Sequence, residues 1–279
     1  MINVSSGGCD DTSAERLMAA FDHAGLSPPT VRSVTSDGLE AALDAAIGAC
    51  DVLVVLGGDG TIMAAAERCG AADRLLLPLP GGTMNMLCRA LYGARGWEQA
   101  LAGALAAPEE RIVSGGRADG RPFYCAAILG APALWADVRE ALRRLDLPRA
   151  FIRAVTAIRR HGQNRLSYRM GASGRGEAEA VGVICPLVSP TMDNDARALE
   201  VVALDPASAA EAFRLALNAM FADWRHDPSV ERARVTTVTV IGHGQIPVIL
   251  DGETVRLGRA VTITFRPTAF RALTPAGRT

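Results

Sequence analysis

The chain has 279 residues, 49% of them hydrophobic and 21% charged, with a formal net charge of −1. That length can bury two ordinary cores, and the near-neutral balance gives no electrostatic reason to bind nucleic acid. All 29 basic residues are arginine, which excludes a Walker A loop, a Schiff-base lysine and any phosphate site built on an ammonium group. Phosphate handling must therefore fall to backbone N–H groups, arginine, hydroxyls and metal.

The first 110 or so residues alternate strand and helix. "MINV" predicts a short strand and "TSAERLMAAFDHAG" a helix, capped at Thr12 or Ser13 and stopped at Gly25. "PTVRSVT" predicts the second strand, and residues 36–49 the next helix, with Asp37 and Glu40 spaced as a capping pair. "DVLVVL" is a continuous apolar run, as a strand buried on both faces requires. A helix follows from about Gly60 to Cys69, then the strand "LLLPLP" and the helix "MNMLCRALYG". This order predicts a parallel sheet with helices on both faces. "EQALAGALAAPEE" predicts a helix leading to a boundary.

After about Arg111 the pattern changes to strands and hairpins. "RIVSGGRADGRPFYCAAIL" places an Asp119-Gly120 turn between two strands. "NRLSYRM", "AEAVGVICPLV", "ALEVVAL", "ARVTTVTVIG", "IPVIL" and "AVTITF" are further strands, with helices at about 133–160 and 207–221. A β-sandwich domain is expected. The six cysteines (Cys9, Cys50, Cys69, Cys88, Cys125 and Cys185) form no C-x-x-C pair and read as reduced thiols of a cytoplasmic protein. The start "MINVSSGG" lacks the features of a signal peptide, and no apolar run reaches the ~18 residues of a membrane span.

Two glycine turns carry the chemistry. "DVLVVL" leads into Gly57-Gly58-Asp59-Gly60-Thr61, and "LLLPLP" into Gly81-Gly82-Thr83-Met84-Asn85. Both fall at the carboxyl ends of parallel strands, where open α/β sheets bind ligands. Helix N-termini there offer unpaired N–H groups to a polyphosphate. Asp59 would meet phosphate of its own sign unless a cation sits between them. It is therefore expected to position Mg²⁺, which binds one or two carboxylates plus phosphate oxygens. The plainer alternative is a turn or cap residue. Thr61, Thr83 and Thr35 likewise read either as phosphate contacts or as caps. Asn85 would tie the two turns together or cap its own helix.

"GGDGT" followed by "PLPGGTMN" resembles the diacylglycerol kinase catalytic domain family, which includes sphingosine kinases and bacterial lipid kinases. "INVSSGG" resembles that family's opening element, "VTSDG" its threonine-bearing stretch, "PVILDGE" its late D-G-E element, and "AVTITFRPTAFRALTP" its closing strand. The resemblance implies a Rossmann-like domain over 1–115, to which 270–279 returns, and a β-rich lipid-substrate domain over 116–269. It implies an ATP- and Mg²⁺-dependent lipid kinase. The nucleotide would lie against Thr35, Gly57, Gly58, Asp59, Gly60, Thr61, Ile62, Met63, Gly82, Thr83 and Asn85. The catalytic groups would be Glu253 as general base, with Asp59 and Asp251. On residue types alone, Asp251-Gly252 reads as a second hairpin turn like Asp119-Gly120. Asp195, in "TMDNDARALEV", would bind the structural Mg²⁺ that the family often carries in its second domain. Two positions depart from the family pattern: Val4 replaces a proline, and Met86 replaces an Asp after Asn85.

The expected partner is a membrane lipid, met by peripheral contact of a cytoplasmic protein; a second copy of the chain is an admissible partner. The segment from Leu134 to His161, with Trp135, Val138 and seven arginines including Arg143 and Arg144, reads either as a basic amphipathic surface or as packed helices with a solvated face. The alternative functions are a soluble-metabolite kinase of the NAD kinase type and a non-catalytic nucleotide- or lipid-binding protein.

Overall fold

The computed structural model describes residues 1–130, 165–172, 174–189, 191–193, 195–205 and 230–276. The helices expected at 133–160 and 207–221, and the arginine-rich segment with them, lie outside the described residues. The chain divides into two units: Met1–Ser114 with Pro267–Thr279, and Gly115–Arg266.

In the first unit the elements run β1 (Ile2–Asn3), α1 (Ser13–His23), β2 (Ser33–Val34), α2 (Leu39–Ile47), β3 (Val52–Gly57), α3 (Asp59–Ala71), β4 (Leu75–Pro80), α4 (Met86–Tyr92) and α5 (Trp97–Ala106). The strands are parallel in the order β2-β1-β3-β4. α1 packs on α5, and α2 on α3. β3 and β4 are central because their side chains are apolar without alternation; Leu53, Val55, Leu56, Leu76, Leu77 and Leu79 are all buried. Their register sets Gly57 opposite Pro80, so the two glycine turns leave the sheet side by side.

One local expectation fails and another holds in position only. The Asp37/Glu40 capping pair does not form: the segment opens as a 3-10 turn over Ser36–Gly38, and neither that turn nor α2 has a side-chain cap bond. At α1, Thr12 is the cap residue but its side chain caps nothing. Asp10 does that work. Its carboxylate accepts from Thr12 N, Thr12 Oγ1 and Ser13 Oγ, while Asp10 N donates to Ser13 Oγ. This reciprocal pair, three residues apart, fixes the turn that leads into the helix.

The second unit holds two antiparallel sheets over one shared core. β5 (Pro108–Ala118) enters it and turns at Asp119-Gly120 into β6 (Arg121–Phe123). Then come β7 (Ala126–Gly130), β8 (Leu166–Arg169), β9 (Arg175–Ala178), β10 (Ala180–Ile184), β11 (Leu199–Leu204), β12 (Val230–Val235), β13 (Thr237–Ile241), β14 (Ile246–Leu250), β15 (Glu253–Leu257) and β16 (Ala260–Pro275). One sheet contains β16-β13-β8-β9 with β5 and β6; the other is β12-β11-β10-β7-β14-β15. Side chains from both, among them Phe123, Leu129, Val181, Val201, Val238, Val248 and Ile263, form one buried cluster.

The runs "AEAVGVICPLV" and "ARVTTVTVIG" each read as one strand, yet each is two. The chain steps from one sheet to the other at Glu179 and again at Thr236. It steps a third time at Tyr124-Cys125, between β6 and β7. Such corners take backbone groups off the ladders, and each needs another partner. Glu179 N donates to Leu204 O, and Thr236 O accepts from Phe265 N. β16 serves both units: Ala260–Thr264 pair with β13, and Arg271 and Ala272 pair in parallel with β4.

Candidate active site

In the first unit the two glycine turns touch. A Cβ on Gly82 would lie 2.7 Å from Gly58 Cα, closer than side-chain atoms ever come, so only glycine allows this approach. Gly81 N donates to Gly57 O at 2.8 Å, and Gly81 O accepts from Gly8 N at 2.9 Å. A third element therefore joins the pair, the "SSGG" turn after β1. Ser6 Oγ accepts from Gly58 N at 3.0 Å, and Asn3 Nδ2 donates to the buried Thr61 Oγ1 at 2.8 Å. Asn3 Oδ1 in turn accepts from Ser5 N. The individual roles of Asn3, Ser6 and Gly8 were not legible in the sequence. The available signal was that a strand followed by small residues and glycines occurs there for a third time.

Asp59 does not cap its own helix. Its Oδ2 accepts from Asn85 N at 2.9 Å and its Oδ1 from Met86 N at 2.6 Å, the two amides that open α4. It is Asp59 that links the turns. The Asn85 side chain bonds within its own turn, accepting from Gly82 N and donating to Gly82 O, and the residue holds a left-handed φ of 51°. Burial pushes the Asp59 carboxyl above its usual value, against the pull of the Met86 and Asn85 amides and of the Arg89 guanidinium.

The remaining expected contacts divide. Thr35, Gly60 and Thr83 are exposed, and Met63 is half-buried. Gly60 and Thr61 stand in the first turn of α3, whose N–H groups have no carbonyl of their own helix to bond. Thr83 N and Met84 N have no hydrogen-bond partner among the described residues. These are the donors an anion would find. Ile62 is different: its side chain is core, 2% exposed, and its N–H is spent on Gly58 O.

Of the second-unit residues, Glu253 opens β15. It is exposed, and its side chain makes no hydrogen bond or ion pair among the described residues. Asp251 is 4% exposed, and its carboxylate accepts from Tyr124 N, Cys125 N and Ala126 N at 2.6 to 2.9 Å. Asp195 lies in an exposed turn. Among the described residues no group of three or more His, Cys, Asp or Glu side chains could hold a metal. A metal arriving with a nucleotide needs less. Mg²⁺ there takes one or two carboxylates and completes its shell with phosphate oxygens and water. Each Asp59 oxygen accepts one N–H and keeps a second lone pair, which fits that smaller demand.

None of the six cysteines is in a disulfide; four are buried, and Cys9 and Cys50 are half-buried. No helix among the described residues is long and apolar enough to cross a membrane.

Residues 1–115 match the diacylglycerol kinase catalytic domain family. Among curated proteins, none matches the chain by sequence. In fold the chain is similar to a "putative diacylglycerol kinase" from Bacillus anthracis str. Sterne, with TM-score 0.78 and 15% identity over 99% of this chain and 96% of that one. It is also similar to a diacylglycerol kinase from the same organism, with TM-score 0.73 and 14% identity over 99% and 95% of the two chains. At such identities the likeness speaks for the fold alone.

Proposed function

We propose, on the premise that residues 1–115 belong to the diacylglycerol kinase catalytic domain family, that this chain is an ATP- and Mg²⁺-dependent lipid kinase. It transfers the γ-phosphate to a hydroxyl of a diacylglycerol-like or sphingoid lipid. The observation that carries the reading is the contact of the two glycine turns, clasped by Asp59, with the unpaired amides of α3 and of Thr83-Met84 beside them.

In a chain without lysine, those N–H groups receive the phosphate oxygens. Asp59 holds the second turn against the first, and its carboxylate would hold the cation. When bound, Mg²⁺ supplies charge neutralisation on the phosphate oxygens. Glu253 accepts the proton of the lipid hydroxyl as its oxygen bonds to the γ-phosphorus and the bond to the β–γ bridging oxygen breaks, releasing ADP. An exposed carboxylate without a partner is free to take that proton. A substrate held in a membrane makes peripheral contact the natural route to it.

The test is to incubate the protein with labelled ATP, Mg²⁺ and a total lipid extract, with NAD in parallel. Label in a lipid supports the reading; label in NAD, or in neither, overturns it. Glu253→Gln is expected to lower lipid phosphorylation at least 100-fold with nucleotide binding unchanged. Full activity in that variant would remove the base.

A further inference from the structure

Asp251 and Glu253 lie two residues apart, yet their surroundings have nothing in common. Asp251 and Gly252 are the central residues of the two-residue turn joining β14 to β15, with Leu250 and Glu253 as the flanking pair. Both have positive φ, 43° and 89°, as a type I′ hairpin requires. The turn itself needs only a small polar residue and a glycine. What it does not need is a carboxylate that is 4% exposed and accepts three consecutive backbone N–H groups. Those amides belong to Tyr124, Cys125 and Ala126, the corner where the chain steps from β6 to β7. Asp251 N also donates to Ala126 O. The hairpin tip is thus bolted to the corner through four bonds, and the Glu253 side chain leaves that fixed point with no bond of its own among the described residues.

We infer that Asp251 is a positioning residue, not a catalytic one: its buried carboxylate fixes the hairpin tip on the 124–126 corner and thereby sets where the Glu253 carboxylate stands. The inference rests on the proposed role of Glu253 as base. A base must meet its proton within hydrogen-bond reach, so a small displacement is costly in rate and cheap in substrate binding.

Asp251→Asn is the informative variant. Asn-Gly is the preferred pair for this turn, so the hairpin keeps its propensity, while the anion is lost and an NH₂ group is set against donors. We expect kcat for lipid phosphorylation to fall at least 30-fold with the KM for ATP within twofold. The acid limb of the pH–rate profile should move, while Asp119→Asn changes none of these. A kcat within threefold of wild type, with Glu253→Gln inactive, overturns the positioning role and leaves the lipid-kinase reading standing. Glu253→Gln at full activity sinks that reading instead. A fall in kcat accompanied by loss of ATP binding overturns the inference in favour of a merely structural role. Should Asp251→Asn fail to fold, hydrogen exchange on the wild-type protein decides. Slow exchange at Tyr124, Cys125 and Ala126 N–H supports the clasp, and fast exchange there overturns it.

Discussion

Two turns of this chain share the dipeptide Asp-Gly and nearly the same backbone, φ 46° and 84° at Asp119-Gly120 against 43° and 89° at Asp251-Gly252. Their carboxylates do unlike things. Asp119 is exposed and accepts one bond, from Thr262 N. Asp251 is buried and accepts from three consecutive amides at the β6–β7 corner. The turn chemistry is local and identical; the difference comes from what the fold brings up against it. A dipeptide therefore specifies a hairpin without specifying whether its acid is scenery or a keystone.

The comparison can be broken most directly by removing each acid. Asp251→Ala leaves three donors without an acceptor, and urea unfolding should show a loss of about 3 kcal/mol or more. Asp119→Ala removes one exposed bond and should cost about 0.5–1 kcal/mol. Equal losses would erase the distinction. A second measurement sharpens it at single-residue scale. Cys125 is fully buried, and its N–H is one of the three held by Asp251. In the native protein a thiol reagent should modify only Cys9 and Cys50. In Asp251→Ala the Cys125 thiol should react roughly tenfold faster, following the lowered cost of local opening, and in Asp119→Ala it should stay protected.

The smallest effect concerns Asp59, which repeats the clasp on two amides while only half-buried. Its folded pKa is raised by burial. The native state then binds a proton that the unfolded chain has already released. Its stabilising contribution is therefore full below the unfolded value and is lost as pH rises through the raised one. Relative to Asp59→Asn, which has no such proton, wild-type stability should decline as pH rises above about 4, the usual value of an aspartate. A flat difference would mean that the amides of Asn85 and Met86 cancel the burial, and a rising one that they outweigh it.

These contrasts also mark what could be read from residues alone. β3 and β4 were legible because an unbroken apolar run has one use beside parallel neighbours, and the Asp119-Gly120 hairpin because its turn residues are local. The sheet changes at Glu179 and Thr236 were not. A residue at a corner keeps the composition of the strands on either side, and only the pairing partners reveal the break. The glycine turns were legible as a pair. That Asp59 grips the amides of Asn85 and Met86, 26 and 27 residues away, was not, since no spacing rule links a carboxylate to another helix. The Asp251 clasp spans about 125 residues and leaves no local trace at all. The failed Asp37/Glu40 cap shows the converse: a correct local pattern is idle when the chain enters the helix through a 3-10 turn.

β16 carries one last consequence, for synthesis. The outer edge of β4 is covered by Arg271 and Ala272, and Arg271 also pairs with Asp73, 198 residues earlier. During translation the first unit thus stands with a bare parallel edge until Arg271 and Ala272 have left the ribosome. A fragment cut after Ser114 keeps every glycine of both turns but would never gain that cover, and such edges recruit other chains. Expression of the first unit alone should yield aggregates unless residues 267–276 are grafted back onto it.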